Sequence, residues 1–150
     1  MRRVSVSPRE TEHLGFACAR RLKRSGRGAA VIALEGPLGA GKTTFVRGAL
    51  RAFGVRRRVT SPTFILMKRI AVPCSRRRNF SFVYHADLYR IRGTRAAQAL
   101  GFREIFKDSQ NVVFIEWAGN APRLLPRCAT RVFFQHGARE KERVITIRYA

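Results

Sequence analysis

Residues 29–34 read Ala-Ala-Val-Ile-Ala-Leu, and after Glu35 residues 36–43 read Gly-Pro-Leu-Gly-Ala-Gly-Lys-Thr. The first stretch is apolar without polar alternation, the pattern of a strand buried on both faces of a parallel sheet. The second matches the phosphate-cradling P-loop pattern in full. After Lys42 the period changes. Phe45, Ala49 and Phe53 recur every four residues with Val46 and Leu50 beside them, and Gly54 supplies a helix stop. Strand, glycine turn and helix arrive in the order that phosphate binding needs.

The chemistry is anion capture. Gly36, Gly39 and Gly41 allow backbone conformations and close approaches that a side chain would block. Successive backbone N–H groups then converge on phosphate oxygens, aided by the positive end of the following helix dipole. Gly36, Pro37, Leu38, Gly39, Ala40, Gly41, Lys42, Thr43 and Thr44 are the candidate phosphate-binding residues. Lys42 would reach the outer phosphates as a point charge, and the Thr43 hydroxyl would ligate Mg2+.

Working outward, Ser7-Pro8-Arg9-Glu10 is a capping box with proline at the first helical position. Leu14, Ala17, Cys18 and Leu22 mark one face of that helix, with a stop expected near Gly26. Past the P-loop helix lie a basic loop over residues 56–60 and then Ser61-Pro62-Thr63-Phe64. Residues 64–72 and 80–86 are expected to pair as a hairpin around a charged turn at 73–79. A short helix is expected over 94–100, with Gly101 after it and another turn at 103–106. Val112-Val113-Phe114-Ile115 is a second buried strand, Pro122 and Pro126 bracket a loop, and residues 131–135 and 143–149 close as a hairpin. Helices interleave with strands, so the class is α/β: a P-loop NTPase-like three-layer sandwich with a central, mostly parallel sheet and antiparallel hairpin additions.

With 150 residues the default is one domain, and 45% apolar content supports a core. No stretch is apolar enough to span a bilayer and the N-terminus lacks a signal-peptide run, so no membrane role and a cytoplasmic location are expected. Cys18, Cys74 and Cys128 are odd in number and without CxxC pairing, which favours reduced thiols over a disulfide framework or zinc site. Thirty-one Lys and Arg against nine Asp and Glu give a net charge of +22. Such a field attracts polyanions and strains the compact state by self-repulsion. Arg20-Arg21 with Lys23-Arg24, Arg56-Arg57-Arg58 and Arg76-Arg77-Arg78 are its clusters. The excess fits either an RNA-facing surface or a biased residue usage that placed arginine wherever solvent allowed.

Against so much arginine, the positions of acids carry information. Glu35, Asp87 and Glu116 each directly follow an apolar strand-like segment, and open α/β sheets bind ligands beyond the carboxyl ends of their strands. Glu116 is the candidate Walker B-like acid, holding Mg2+ through water and not directly. Asp87 could orient an attacking water or complete the metal's outer shell. Glu35 is the weakest of the three and reads as a surface carboxylate. The Ser61-Pro62-Thr63 hydroxyls could sense a terminal phosphate or merely cap a proline turn. Trp117 suits either a nucleotide-side wall or a core wedge, with the core favoured. His13, His85 and His136 have no nucleophile partner and read as structural.

Gly36–Thr44, Thr60-Ser61-Pro62-Thr63-Phe64, Tyr84-His85-Ala86-Asp87-Leu88-Tyr89-Arg90 and Ile115-Glu116-Trp117 occur in the order seen in the TsaE family, which the chain resembles over roughly residues 7–126. That family supplies the ATPase of bacterial threonylcarbamoyladenosine biosynthesis on tRNA. The resemblance implies ATP and Mg2+ as cofactors and TsaB and TsaD as partners. It implies tRNA as an indirect partner, and the basic surface leaves direct contact open. It makes Lys42 the phosphate contact, Thr43 and Glu116 the metal residues, and Lys42, Asp87 and Glu116 the catalytic set; Thr11 resembles a nucleotide-side contact. Gly93–Leu100 departs from the family in having Arg95 and no acid. Two other functions fit the P-loop: a small kinase acting on a nucleoside or metabolite, and an RNA-binding module with an idle loop.

Overall fold

The computed structural model describes residues 1–23, 27–56, 60–73 and 80–149. Among these, seven strands form one sheet in the order β1-β7-β6-β2-β5-β4-β3. In chain order they are β1 (Arg2–Ser5), β2 (Ala30–Glu35), β3 (Met67–Ala71), β4 (Phe82–Asp87), β5 (Asn111–Glu116), β6 (Thr130–His136) and β7 (Arg143–Arg148). The central four, β6-β2-β5-β4, run parallel; β3, β7 and β1 add antiparallel to β4, β6 and β7. Four helices, α1 (Pro8–Arg21), α2 (Lys42–Ala52), α3 (Thr94–Gln98) and α4 (Phe102–Lys107), cover the two faces.

Alternation along the strands builds two cores. Ile32 and Leu34 of β2 join Phe114 of β5 beneath α1 and α2, against Cys18, Phe45 and Leu50. Val31 and Ala33 join Val113 and Ile115 on the other face, against Ala97 of α3 and Phe102 of α4. This is the α/β sandwich expected from the sequence. Two details differ. Strand β1 has no counterpart among the expected elements, and residues 64–66 form a turn, so the β3–β4 hairpin starts at Met67. The tail does close as a hairpin, and β6 lies parallel to β2.

Helix α1 starts where its capping box requires: Ser7 Oγ accepts from the Glu10 amide at 3.2 Å, and Glu10 Oε2 reaches back to the Val6 amide at 2.8 Å. The helix ends at Arg21. The stop expected at Gly26, together with Arg24, Arg57, Arg58, Cys74 and Arg76–Arg78, lies outside the described residues. Burial pushes the Cys18 thiol up to about 11, so it packs as a protonated hydrophobe; Cys128 is exposed and also free.

Helices α1 and α2 cross in near backbone contact. A Cβ built on Gly15 would overlap the Phe45 carbonyl, and one on Gly48 would overlap the Glu12 carbonyl. Beside the crossing, Arg51 pairs with Glu12 at 2.5 Å. Gly48→Ala would gain about 1 kcal/mol of helix propensity. The methyl meets a carbonyl that cannot rotate away, and such overpacking costs about 1–3 kcal/mol. The expected outcome is net destabilisation, read as a melting temperature lowered by roughly 2–4 °C per kcal/mol. A variant melting at or above the parent would show that the crossing is loose.

Candidate nucleotide site

Glu116 and Asp87 end β5 and β4, and the two strands pair in register so that Asp87 lies opposite Glu116; on the other side of β5, Leu34 lies opposite Glu116. The loop after β2 therefore leaves the sheet level with both carboxylates. Paired residues share a face, so both carboxylates point toward α2, which begins at Lys42. Gly41 caps that helix at φ +97°, a conformation disfavoured for side-chain-bearing residues, and it offers no side-chain hydrogen bond to the first turn. The first-turn amides thus face the mouth of the loop. Pro37, Leu38 and Gly39 are exposed on its crest, while Ala40 is buried in the core and anchors it.

Lys42 is almost wholly buried. Its ammonium donates to the Gly36 and Pro37 carbonyls, both at 2.7 Å, and sits 4.0 Å from the centre of the Trp117 ring. Burial lowers its pKa, opposed by the charges of Glu116 and then Asp87. Thr43 Oγ1 lies 2.9 Å from both oxygens of Glu116. The other partner of Glu116 is His85 Nε2, 2.7 Å from Oε1. Asp87 Oδ2 accepts from Ser61 Oγ at 2.5 Å and Thr63 Oγ1 at 2.6 Å, and Oδ1 accepts from the Tyr89 amide at 2.8 Å. The 61–66 turn is bound in return, since the Asp87 amide donates to the Leu66 carbonyl at 2.9 Å.

Two cavities meet at the loop. One, of about 350 Å³, is lined by Leu38–Thr44 with Ser61, Thr63, Asp87, Tyr89, Glu116 and Trp117. The other, of about 280 Å³, shares Gly39, Gly41 and Thr44 and is closed by Thr11, Lys141 and Arg143. Lys42, Thr43, Asp87 and Glu116 are thus brought together, and Thr11 lies across the loop from them. The Thr11 hydroxyl is engaged by Ser5 Oγ at 2.9 Å, and its methyl faces Gly41. Glu35 stays apart, 3.5 Å from Arg131. Trp117 both packs on the second core and walls the first cavity, with its ring 5.0 Å from Tyr89.

Three residues escaped the sequence analysis. His85, expected to be structural, touches the carboxylate of Glu116. His136 Nε2 lies 3.2 Å from the Leu38 carbonyl, and Arg143 Nε donates to the Gly39 carbonyl at 3.2 Å, so the β6–β7 hairpin grips the loop crest. His85 had a local signal in its i, i+2 relation to Asp87 on one strand face. The hairpin contacts had none, being about a hundred residues distant in sequence.

Within this site, Thr43 and Glu116 present a hydroxyl and a carboxylate, hard oxygen donors suited to a divalent cation. Among the described residues no group of three or more His, Cys, Asp or Glu could hold a metal. The pair therefore fits a cation that draws its remaining ligands from phosphate and water.

Comparison with known proteins identifies relatives in both sequence and fold. The family model for "Threonylcarbamoyl adenosine biosynthesis protein TsaE" matches residues 5–145, so the match runs well into the C-terminal hairpin. A Bacillus subtilis protein named tRNA threonylcarbamoyladenosine biosynthesis protein TsaE is 34% identical over 145 residues, covering 95% of this chain and 81% of its own. A Treponema pallidum protein of the same name is 34% identical over 126 residues, 84% of each chain. The crystal structure of Bacillus subtilis YdiB superposes with a TM-score of 0.76 at 30% identity, covering 99% of this chain and 84% of that one. Sheet order, loop and matched length lead to one conclusion: the chain belongs to the TsaE family.

Proposed function

We propose that this chain is the Mg2+-dependent ATPase of tRNA threonylcarbamoyladenosine biosynthesis, one P-loop domain that works in the cytoplasm with TsaB and TsaD. The observation that carries the proposal is the contact of Thr43 with Glu116 beside the buried ammonium of Lys42. The names of the relatives support the pathway. Transfer of the threonylcarbamoyl group is left to the partners, and tRNA is met through them.

The two cavities orient the nucleotide. Thr44, Gly39 and Gly41 line both, so the phosphate chain would run along the crest between them. The outer phosphates would lie on the side of Asp87 and Glu116, and the nucleoside toward Thr11 and Arg143. Lys42 exchanges its two carbonyl acceptors for phosphate oxygens. Thr43 and Glu116 would hold Mg2+, whose charge would neutralise the outer phosphates. Asp87 accepts a hydrogen bond from the attacking water, its carboxylate aimed by Ser61, Thr63 and the Tyr89 amide. Trp117 and Tyr89 keep bulk water from that end of the chamber.

A small-molecule kinase would need an acceptor space beside the outer phosphates. A neighbouring cavity of about 340 Å³ between Arg92, Tyr89 and Trp117 gives that alternative a location. The deciding experiment is ATP turnover alone and with purified TsaB and TsaD. Stimulated release of inorganic phosphate is expected; label passed to a small acceptor without any partner effect would favour the kinase instead.

Lys42→Ala is expected to lose most nucleotide affinity, measured by calorimetry. Glu116→Gln should bind ATP within a few fold of the parent but hydrolyse it about 10²–10³-fold more slowly, the usual scale for removing one electrostatic contact to a transition state. Hydrolysis at the parental rate would remove Glu116 from the metal site. A pH dependence follows from Lys42. Its pKa in the free protein lies below the ordinary 10.5, so the ammonium that phosphate needs is lost at a lower pH than from a free lysine. Nucleotide affinity should therefore begin to fall below pH 10.5, and an alkaline limb placed at or above that value would contradict the burial argument. By linkage, the same lowered pKa makes fold stability rise with pH between the folded-state pKa and the unfolded one.

A further inference from the structure

Buried histidines normally satisfy both ring nitrogens, and His85 satisfies one. It is fully buried on β4, its Nε2 is 2.7 Å from Glu116 Oε1, and Nδ1 has no hydrogen-bond partner. Protonation of Nδ1 would bury an unpaired N–H, and in the neutral ring would also set the Nε2 lone pair against a carboxylate oxygen. Of the two neutral tautomers, the one with the proton on Nε2 costs least, because it leaves only an unused lone pair on Nδ1. Thr43 has a single hydroxyl proton to divide between the two oxygens of Glu116, both at 2.9 Å. The imidazole N–H is the shorter contact, and it comes from a ring fixed by burial within the sheet.

Resting on the ATPase proposal, we infer that His85 is a positioning residue for the metal carboxylate. Its Nε2–H pins Oε1, sets the rotamer of Glu116 and leaves Oε2 toward Thr43, in the way that outer partners orient ligating groups elsewhere. Without that donor the carboxylate is free to swing toward the ammonium of Lys42, on which Glu116 exerts the larger pull of the two neighbouring carboxylates. An ion pair there would compete with phosphate for the lysine and with the metal for the carboxylate. His85 touches neither nucleotide nor metal; it acts through Glu116.

The test compares His85→Leu, His85→Gln and His85→Asn with the parent, titrating ADP in EDTA and again with Mn2+. The amide nitrogen of Gln is as many bonds from the backbone as Nε2, whereas that of Asn corresponds to Nδ1. In the Leu variant, the metal-dependent gain in ADP affinity should fall about 10–100-fold, the scale for losing such a partner, with a smaller loss in EDTA, where only the competition for Lys42 acts. Gln should restore most of the gain and Asn little. In the parent, nitrogen NMR of His85 should find Nε2 protonated, a readout that needs no ligand and no variant. A Leu variant with parental Mn2+ dependence, equal rescue by Asn and Gln, or an unprotonated Nε2 would each overturn the inference while leaving the ATPase proposal standing. A parent that binds no ADP under either condition would sink both.

Discussion

Parallel pairing without stagger brings the ends of β2, β5 and β4 to one level, and the site depends on that. Leu34, Glu116 and Asp87 lie side by side across three strands. The glycine loop leaves the sheet one residue after Leu34's neighbour Glu35, so its amides open beside two carboxylates contributed by other strands. Alternation then sends both acids to the face where α2 begins. A slip of one residue in either pairing would turn its acid toward α3 and α4, away from the loop.

The position of α2 matters equally, because Thr43 must reach β5. Three contacts fix it: the glycine crossing with α1, the edge-on packing of Phe45 against Phe134 at 5.6 Å, and the apolar row Phe45, Val46, Ala49 and Leu50. Strand β6 supplies Phe134, and at its far end His136 touches the loop, so the added hairpin supports both sides of the P-loop. Of the arginines, Arg51 beside the crossing and Arg143 at the loop crest take part in this. Nine acids cannot pair 31 cations, and several described arginines lie over aromatic rings instead: Arg21 on Tyr149, Arg69 on Phe82, Arg90 on Phe64 and Arg148 on Phe133. These stacks are scattered over separate elements. They shelter apolar surface with long side chains whose heads remain wet.

What could be read from the sequence was local. The cap of α1, the buried runs of β2 and β5 and the start of α2 are each written within a few neighbouring residues, and acids placed at strand ends pointed to Asp87 and Glu116. Strand β1 was illegible because Arg-Arg-Val-Ser has no periodicity of its own; it becomes a strand by pairing with β7, some 140 residues away. The stretch 64–66 looks apolar enough for a strand, yet Phe64 is 82% exposed and Leu66 turns at φ +62°. Docking of that turn on Asp87 overrides its composition. His85 illustrates the same limit: its residue type was visible, but a partner 31 residues away on the next strand was not.

The site keeps opposite charges apart. One ammonium and two carboxylates share a largely buried chamber, and collapse into ion pairs would be the simplest way to lower their energy. Instead each is occupied elsewhere: Lys42 by two loop carbonyls and the Trp117 ring, Glu116 by Thr43 and His85, Asp87 by two hydroxyls and an amide. Trp117 holds a left-handed backbone at φ +58° to place that ring, strain that its neighbours must over-determine. The partners of Lys42 are neutral and weakly held compared with a phosphate. The carboxylates, in contrast, are pinned by donors built into strands and a bound turn. An anion entering from the loop side would displace only the lysine's contacts, and the acids would need no rearrangement. Preorganisation of this kind lowers the cost of binding at the groups where charge must be managed.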